Sequence, residues 1–176
     1  MRGGTLPGMF TVHTAASAPA GSRDALAQLE RNVGFIPNLA GAIAGSPVAL
    51  TGFVGLQSAL RGTRLSALER EVVGLTVSRI NACEYSLAAH SRFAAAAGGS
   101  DTLIAALRAG DALDDERLQR LHAFTEAVLR ERGHVEPVLD AEETLEVLTQ
   151  IAYTTLANHA ADVSGAPIDE AFRALV

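Results

Sequence analysis

The sequence predicts an all-α, single-domain helical bundle of about eight helices. Three observations predict it. Apolar residues recur at spacings of three and four through most segments. Alanine supplies much of the 48% apolar fraction and aromatics only 5%, so small side chains on good helix formers can bring helices close together. No alternating apolar–polar run survives outside the N-terminal lead-in, and no repeat occurs at a solenoid period. At 176 residues one domain is the default, with enough core to need neither disulfides nor metals.

The elements follow in order. Residues 1–21 carry one Arg and no continuous apolar stretch before a cleavage site, so they read as a flexible or extended lead-in and not a signal peptide. The domain is residues 22–176. Ser22 to Val33 is the first helix, with Leu26, Leu29 and Val33 on one side and Arg23, Asp24, Glu30 and Arg31 on the other; Gly34 ends it. Residues 38–45 form a short helix, and a third runs from Pro47, a residue suited to a first turn, to about Leu60 before Gly62. From Phe35 to Leu60 there is no charge, a length that could span a bilayer, but Pro37, Gly41, Gly45, Pro47 and Gly52 interrupt it. Two buried helices are the expectation, with no membrane anchor.

Ser66 with Glu69 three residues on is a capping-box pair, opening a helix from Ala67 to about Ile80. Its apolar residues lie on most sides, so it is expected to be central. Asn81 reads as the cap of a new helix with Glu84 at its third position, which puts Cys83 in the first turn; this break is preferred to one unbroken helix over 67–97. The helix 83–97 ends in small residues. Ser100 or Asp101 caps a helix to about Ala109. A longer one at 115–132 turns Leu118, Leu121, Phe124, Thr125 and Val128 inward. Asp140 and Glu143 cap the next, running to about Val163 with Leu145, Leu148, Ile151, Ala152, Thr155 and Leu156 inward. Pro167 and Asp169 begin a last short helix.

Composition excludes several classes of function. A net charge of −6 with no Lys/Arg cluster offers nothing to nucleic acid and serves solubility instead. One cysteine excludes an intramolecular disulfide and any multi-cysteine zinc site, and suits the reducing cytoplasm. His13, His122 and His134 are at no ligand spacing, and no Gly-rich phosphate loop appears, so neither a metal nor another cofactor is expected.

The chemistry concentrates between Ser66 and Gly99. Seven residues at about 100° each return a helix to within about 20° of its starting direction. Cys83 and His90 therefore share a face two turns apart, with Ser86 between them. A first-turn position favours the Cys83 thiolate through the backbone N–H groups and the helix dipole. Glu71 lies inside an apolar stretch, an expensive place for an unpaired carboxylate. These residues fit a reactive thiol with acid–base partners. They fit equally a small buried hydrophobe and polar groups lining a core seam.

The block LSALEREVVGLTVSRINACEYSLAAHSRFA resembles the signature of the carboxymuconolactone decarboxylase and alkylhydroperoxidase D-like superfamily. In its peroxidase branch the pattern is E-x11-C-x-x-C-x3-H, matched by Glu71, Cys83 and His90. The flanks GFIPNL and NHAADVSGAPID resemble its peroxidase-related members. Ser86 departs from the pattern, standing where the family has its second, peroxide-attacking cysteine. By that resemblance Cys83 corresponds to the resolving cysteine, and Ser86 cannot cycle through sulfenic acid and disulfide. What the resemblance implies is a peroxidase-related antioxidant protein that reduces small hydroperoxides through Cys83, with Glu71 and His90 moving protons and an external thiol as reductant. One alternative is a cofactor-free, decarboxylase-like enzyme in which Glu71 and His90 perform acid–base chemistry on a small organic acid. Another is a degenerate oligomeric protein or thiol redox sensor. Tyr85 and His159 are further candidates to face the substrate, and a homo-oligomer is expected.

Overall fold

The computed structural model describes residues 9–175. Eight α-helices build it: α1 Ala20–Val33, α2 Asn38–Ile43, α3 Pro47–Ala59, α4 Ala67–Ile80, α5 Glu84–Ala96, α6 Asp101–Ala109, α7 Glu116–Arg130 and α8 Ala141–Ser164. Short 3₁₀ turns at Leu60–Gly62 and Glu170–Leu175 complete it, and the described residues contain no strand.

Helix α4 is the axis of the bundle. Its start is set locally: the Ser66 hydroxyl accepts the Glu69 N–H and the Glu69 carboxylate accepts the Ser66 N–H at 2.7 Å. Such a cap is worth about 1 kcal/mol. Burial does the rest, because every residue from Val72 to Ser78 is covered by α5, α6, α7 and α8. Two apolar clusters flank this axis. One gathers Leu26, Leu39, Leu50, Phe53, Cys83 and Ala157 from α1, α2, α3, α8 and the start of α5. The other gathers Val72, Leu75, Leu107, Leu121, Phe124 and Val147 from α4, α6, α7 and α8.

The sequence-based boundaries shift in informative ways. Helix α1 begins at Ala20, two residues early, and the Ser22 hydroxyl is buried, donating to the Ala44 carbonyl at 2.7 Å. Of the lead-in, residues 1–8 lie outside the described residues. Residues 9–19 are irregular and anchored, with the His13 N–H donating to the Gly41 carbonyl and Ala18 buried. Asn81 does not cap α5. It closes α4, Ala82 takes a positive φ of 53°, and Cys83 itself occupies the N-cap position of α5. The last short helix is a 3₁₀ turn beginning at Glu170.

The inward face of α8 differs most. Leu145 is 64% exposed, and Leu148, Ala152 and Leu156 also face out, whereas Val147, Gln150, Ile151, Thr154, Ala157, Asn158 and Ala161 are buried. The polar residues are tolerated inside because they bond there: Gln150 donates to Thr154 at 3.1 Å, and Asn158 bonds to residues of α4. No helix among the described residues is long and apolar enough to cross a membrane.

Candidate functional site

Cys83, at the N-cap of α5, and Ser86 and His90 within it are all buried, and α5 packs against α4 and α8. At one end, His90 Nδ1 lies 2.6 Å from Glu71 Oε2, the ring coming from α5 and the carboxylate from α4. An ionised carboxylate can only accept, so Nδ1 is the donor of this bond and Nε2 is the ring nitrogen it leaves free. The pair is shielded, with 9% of the His90 side chain and 17% of the Glu71 side chain exposed. That supplies the partner an otherwise apolar setting requires of Glu71.

Gly74 makes room for this pair. A Cβ at that position would stand 2.6 Å from His90 Cε1 and Nδ1, so the imidazole lies directly on the α4 backbone. A glycine inside an apolar helix is the sequence signal for such an approach.

At the other end Cys83 is fully buried, and its thiol donates to the Asn158 carbonyl at 3.7 Å. Burial pushes the thiol's pKa up; the neighbouring Ser86 amide and hydroxyl pull it down without reversing the shift. The thiolate-favouring effect expected of a helix start is therefore outweighed. The thiol rests protonated.

Sequence reasoning passed over two further groups. Asn158, fully buried on α8, accepts from Asn81 Nδ2 at 2.9 Å and donates to Ser78 Oγ at 3.2 Å. Tyr153, one turn earlier on α8, stacks on Phe53 with ring centroids 5.0 Å apart and accepts from Gln57 Nε2 at 3.3 Å. Burial and the Glu71 charge push its phenol well above the usual value. The local signal for Asn158 was its place in the flanking segment NHAADVSGAPID.

Tyr85 is held away from the stripe. Its hydroxyl donates to Asp169 Oδ2 at 2.6 Å and accepts the Leu39 N–H at 3.3 Å, and its ring meets Phe172 edge-on. Asp169 also accepts the Asn38 N–H, and Asn38 Nδ2 donates to the Pro167 carbonyl. The two flanking segments thus meet at Tyr85, which ties them to α5. His159 is exposed on α8, and nothing brings it to the stripe. His13 bonds to Ser17, and the buried His122 bonds to Thr76 Oγ1 at 2.7 Å. Among the described residues no three His, Cys, Asp or Glu are grouped to hold a metal ion. A cavity of about 530 Å³ opens between α2, α3, α8 and residues 9–13, and Glu71, Cys83, Ser86 and His90 do not line it.

This helix order is that of the alkylhydroperoxidase D-like fold. Residues 47–127 match the model of the Carboxymuconolactone decarboxylase family. The fold matches the alkylhydroperoxidase AhpD core of an uncharacterized peroxidase-related protein from Ralstonia eutropha JMP134, with 19% identity, 93% of each chain covered and a TM-score of 0.81. It also matches an uncharacterized peroxidase-related protein from Silicibacter sp. TM1040, with 20% identity, 97% of this chain and 94% of that one covered, and a TM-score of 0.79. A cysteine-to-alanine variant of the debrominase Bmp8, in complex with 2,3,4-tribromopyrrole, matches with 18% identity, 98% and 97% coverage, and a TM-score of 0.80. The curated proteins provide no match. The chain thus has the alkylhydroperoxidase D-like fold, and over residues 47–127 it is similar to the Carboxymuconolactone decarboxylase family.

Proposed function

We propose that this protein is a thiol-dependent reductase of the peroxidase-related kind, acting on a small hydroperoxide at Cys83 with an external thiol as the final reductant. The observation that carries the reading is the 2.6 Å contact between His90 Nδ1 and Glu71, which closes the buried stripe of Cys83, Ser86 and His90. His90 Nε2 takes the thiol proton, with the Ser86 hydroxyl standing between them on the helix to pass it, and Glu71 stabilises the imidazolium. The sulfur attacks one peroxide oxygen and the O–O bond breaks. Cys83 becomes a sulfenic acid, and the departing alkoxide takes the proton back to leave as an alcohol. One external thiol then displaces water from the sulfenic acid, and a second frees Cys83 as a disulfide of the two leaves. The likeness to a debrominase captured with a brominated pyrrole supports extending the electrophile to a carbon-bound halogen. The reading places the protein in the cytoplasm, as a symmetric assembly of several copies.

A second reading draws on the burial of Cys83 and its protonated resting state. In it the thiol is incidental, and Glu71 with His90 exchanges protons with a small organic acid without a cofactor. Peroxide consumption in the presence of dithiothreitol, measured for the native chain, Cys83→Ala and Glu71→Gln, separates the two. The first reading expects both variants to lose activity and peroxide to leave a sulfenic acid on Cys83 by intact mass. Full activity in Cys83→Ala removes it. An unmodified Cys83 with no turnover of any hydroperoxide leaves a protein that has kept the fold without the reaction.

A further inference from the structure

The contacts around Asn158 carry one step more. Its side-chain amide grips the last turn of α4 and the residue that closes it: Oδ1 accepts from Asn81 Nδ2 at 2.9 Å and Nδ2 donates to Ser78 Oγ at 3.2 Å. Ser78 Oγ in turn donates to the Gly74 carbonyl at 2.7 Å, on the residue that carries the His90 ring. The main-chain carbonyl of Asn158 itself receives the Cys83 thiol. Between Asn81 and Cys83 lies Ala82 at φ 53°, a conformation that residues with a Cβ adopt at a cost. The tight turn closes with the Cys83 N–H donating to the Ser78 carbonyl at 3.0 Å.

A strained residue persists only where its surroundings over-determine it. At this turn a fully buried asparagine from α8 supplies the restraint. We infer that Asn158 is a positioning residue for Cys83: its bond to Asn81 latches the 81–83 turn against α8, holding the thiol buried, and release of that bond exposes the sulfur to its electrophile. The inference deepens the thiol-dependent reading and rests on it for its functional meaning, but the latch can be measured without turnover.

Cys83 is the only cysteine, so alkylation by iodoacetamide reports on this one atom. The experiment follows the second-order rate of alkylation of the folded chain against pH, for the native protein, Asn158→Ala, Asn81→Ala and the double variant. Loss of one buried hydrogen bond raises the open fraction about five- to tenfold, so each single variant is expected to react about that much faster. Because both act through one bond, the double variant is expected to react no faster than the faster single one. Ala82→Gly, which relieves the strain of the closed turn, is expected to slow alkylation. Leu107→Ala, in the other apolar cluster, reports what general loosening does and is expected to leave the rate unchanged under folding conditions. Unchanged rates in the single variants, additive effects in the double one, or equal acceleration by Leu107→Ala each overturn the latch. If Asn158→Ala does not fold, Asn81→Ala and Ala82→Gly still decide it by moving the rate in opposite directions or failing to. Faster alkylation without peroxide turnover keeps the latch and removes only the peroxidase reading.

Discussion

Replacing Gly74 by alanine tests the Glu71–His90 pair through its floor. The new Cβ would lie 2.6 Å from two atoms of the His90 ring and 3.0 Å from Cγ. Carbon atoms rest at about 3.5–4.0 Å, so the ring must retreat by about 1 Å. That movement stretches the 2.6 Å bond to Glu71 beyond hydrogen-bonding reach. Overpacking costs about 1–3 kcal/mol, and loss of a charge-assisted hydrogen bond about 1.5–3 kcal/mol. Against this, alanine in mid-helix gains about 1 kcal/mol over glycine. The balance is a loss of about 2 kcal/mol or more, a fall in Tm of about 4–8 °C for a chain of this size. Gly52→Ala in α3 is the control, since nothing lies within 4 Å of its Cβ position, and it is expected to raise Tm by about 2 °C. Thermal unfolding by circular dichroism reads both, with peroxide consumption measured alongside. A stabilised Gly74→Ala with full activity would refute both the close packing and the role given to the pair.

Three further outcomes follow from the same contacts. Glu71→Gln keeps the volume and an acceptor for His90 Nδ1 but removes the charge, so turnover is expected to fall about 100-fold or more with Tm within about 2 °C; an unchanged rate excludes proton transfer through this pair. The Cys83 thiol titrates higher folded than unfolded, so above about pH 8.5 the unfolded chain loses its proton first and stability falls as pH rises. Urea midpoints between pH 8 and 9.5 are therefore expected to drop more in the native chain than in Cys83→Ala, and parallel curves would contradict the raised pKa. His122 runs the other way. Burial, opposed by the Glu126 charge, holds its pKa below the usual imidazole value, so below about pH 6.5 the unfolded chain binds the extra proton and stability falls with pH by up to about 1.4 kcal/mol per unit. His122→Gln is expected to flatten that limb of the urea-midpoint curve.

Where a boundary depends on neighbours in sequence, it was legible. The Ser66–Glu69 box, Asp140 accepting from Glu143, Pro47 at the start of α3 and left-handed Gly34 closing α1 all act within four residues of themselves. What was hidden depends on distant partners. Leucines at helical spacing made one face of α8 look inward, but Gln150, Thr154 and Asn158 occupy the interior, each with a hydrogen bond. Asn81 has the chemistry of an N-cap, yet its side chain goes to Asn158 and the cap position passes to Cys83. Spacing put Cys83, Ser86 and His90 on one stripe. It could not show that the thiol end is sealed by α8, because that depends on a residue 75 positions away.

The burial of the stripe has opposite effects at its two ends. Shielding strengthens the hydrogen bond between the His90 ring and the Glu71 carboxylate and holds the two as a unit. The same burial penalises a lone thiolate at Cys83, which would also face the Asp162 charge, and the thiol donates instead to a carbonyl. Forming the thiolate and the imidazolium together costs less than forming the thiolate alone, since the charges stay within one stripe and Glu71 balances one of them. On the proposed reading, activation of the sulfur is coupled to His90, with Ser86 between the two along the helix. A thiol at that place could attack a peroxide; a hydroxyl cannot cycle through sulfenic acid. On the proposed thiol-dependent reading, a chain with one cysteine draws its electrons from Cys83 and its resolving thiol from outside.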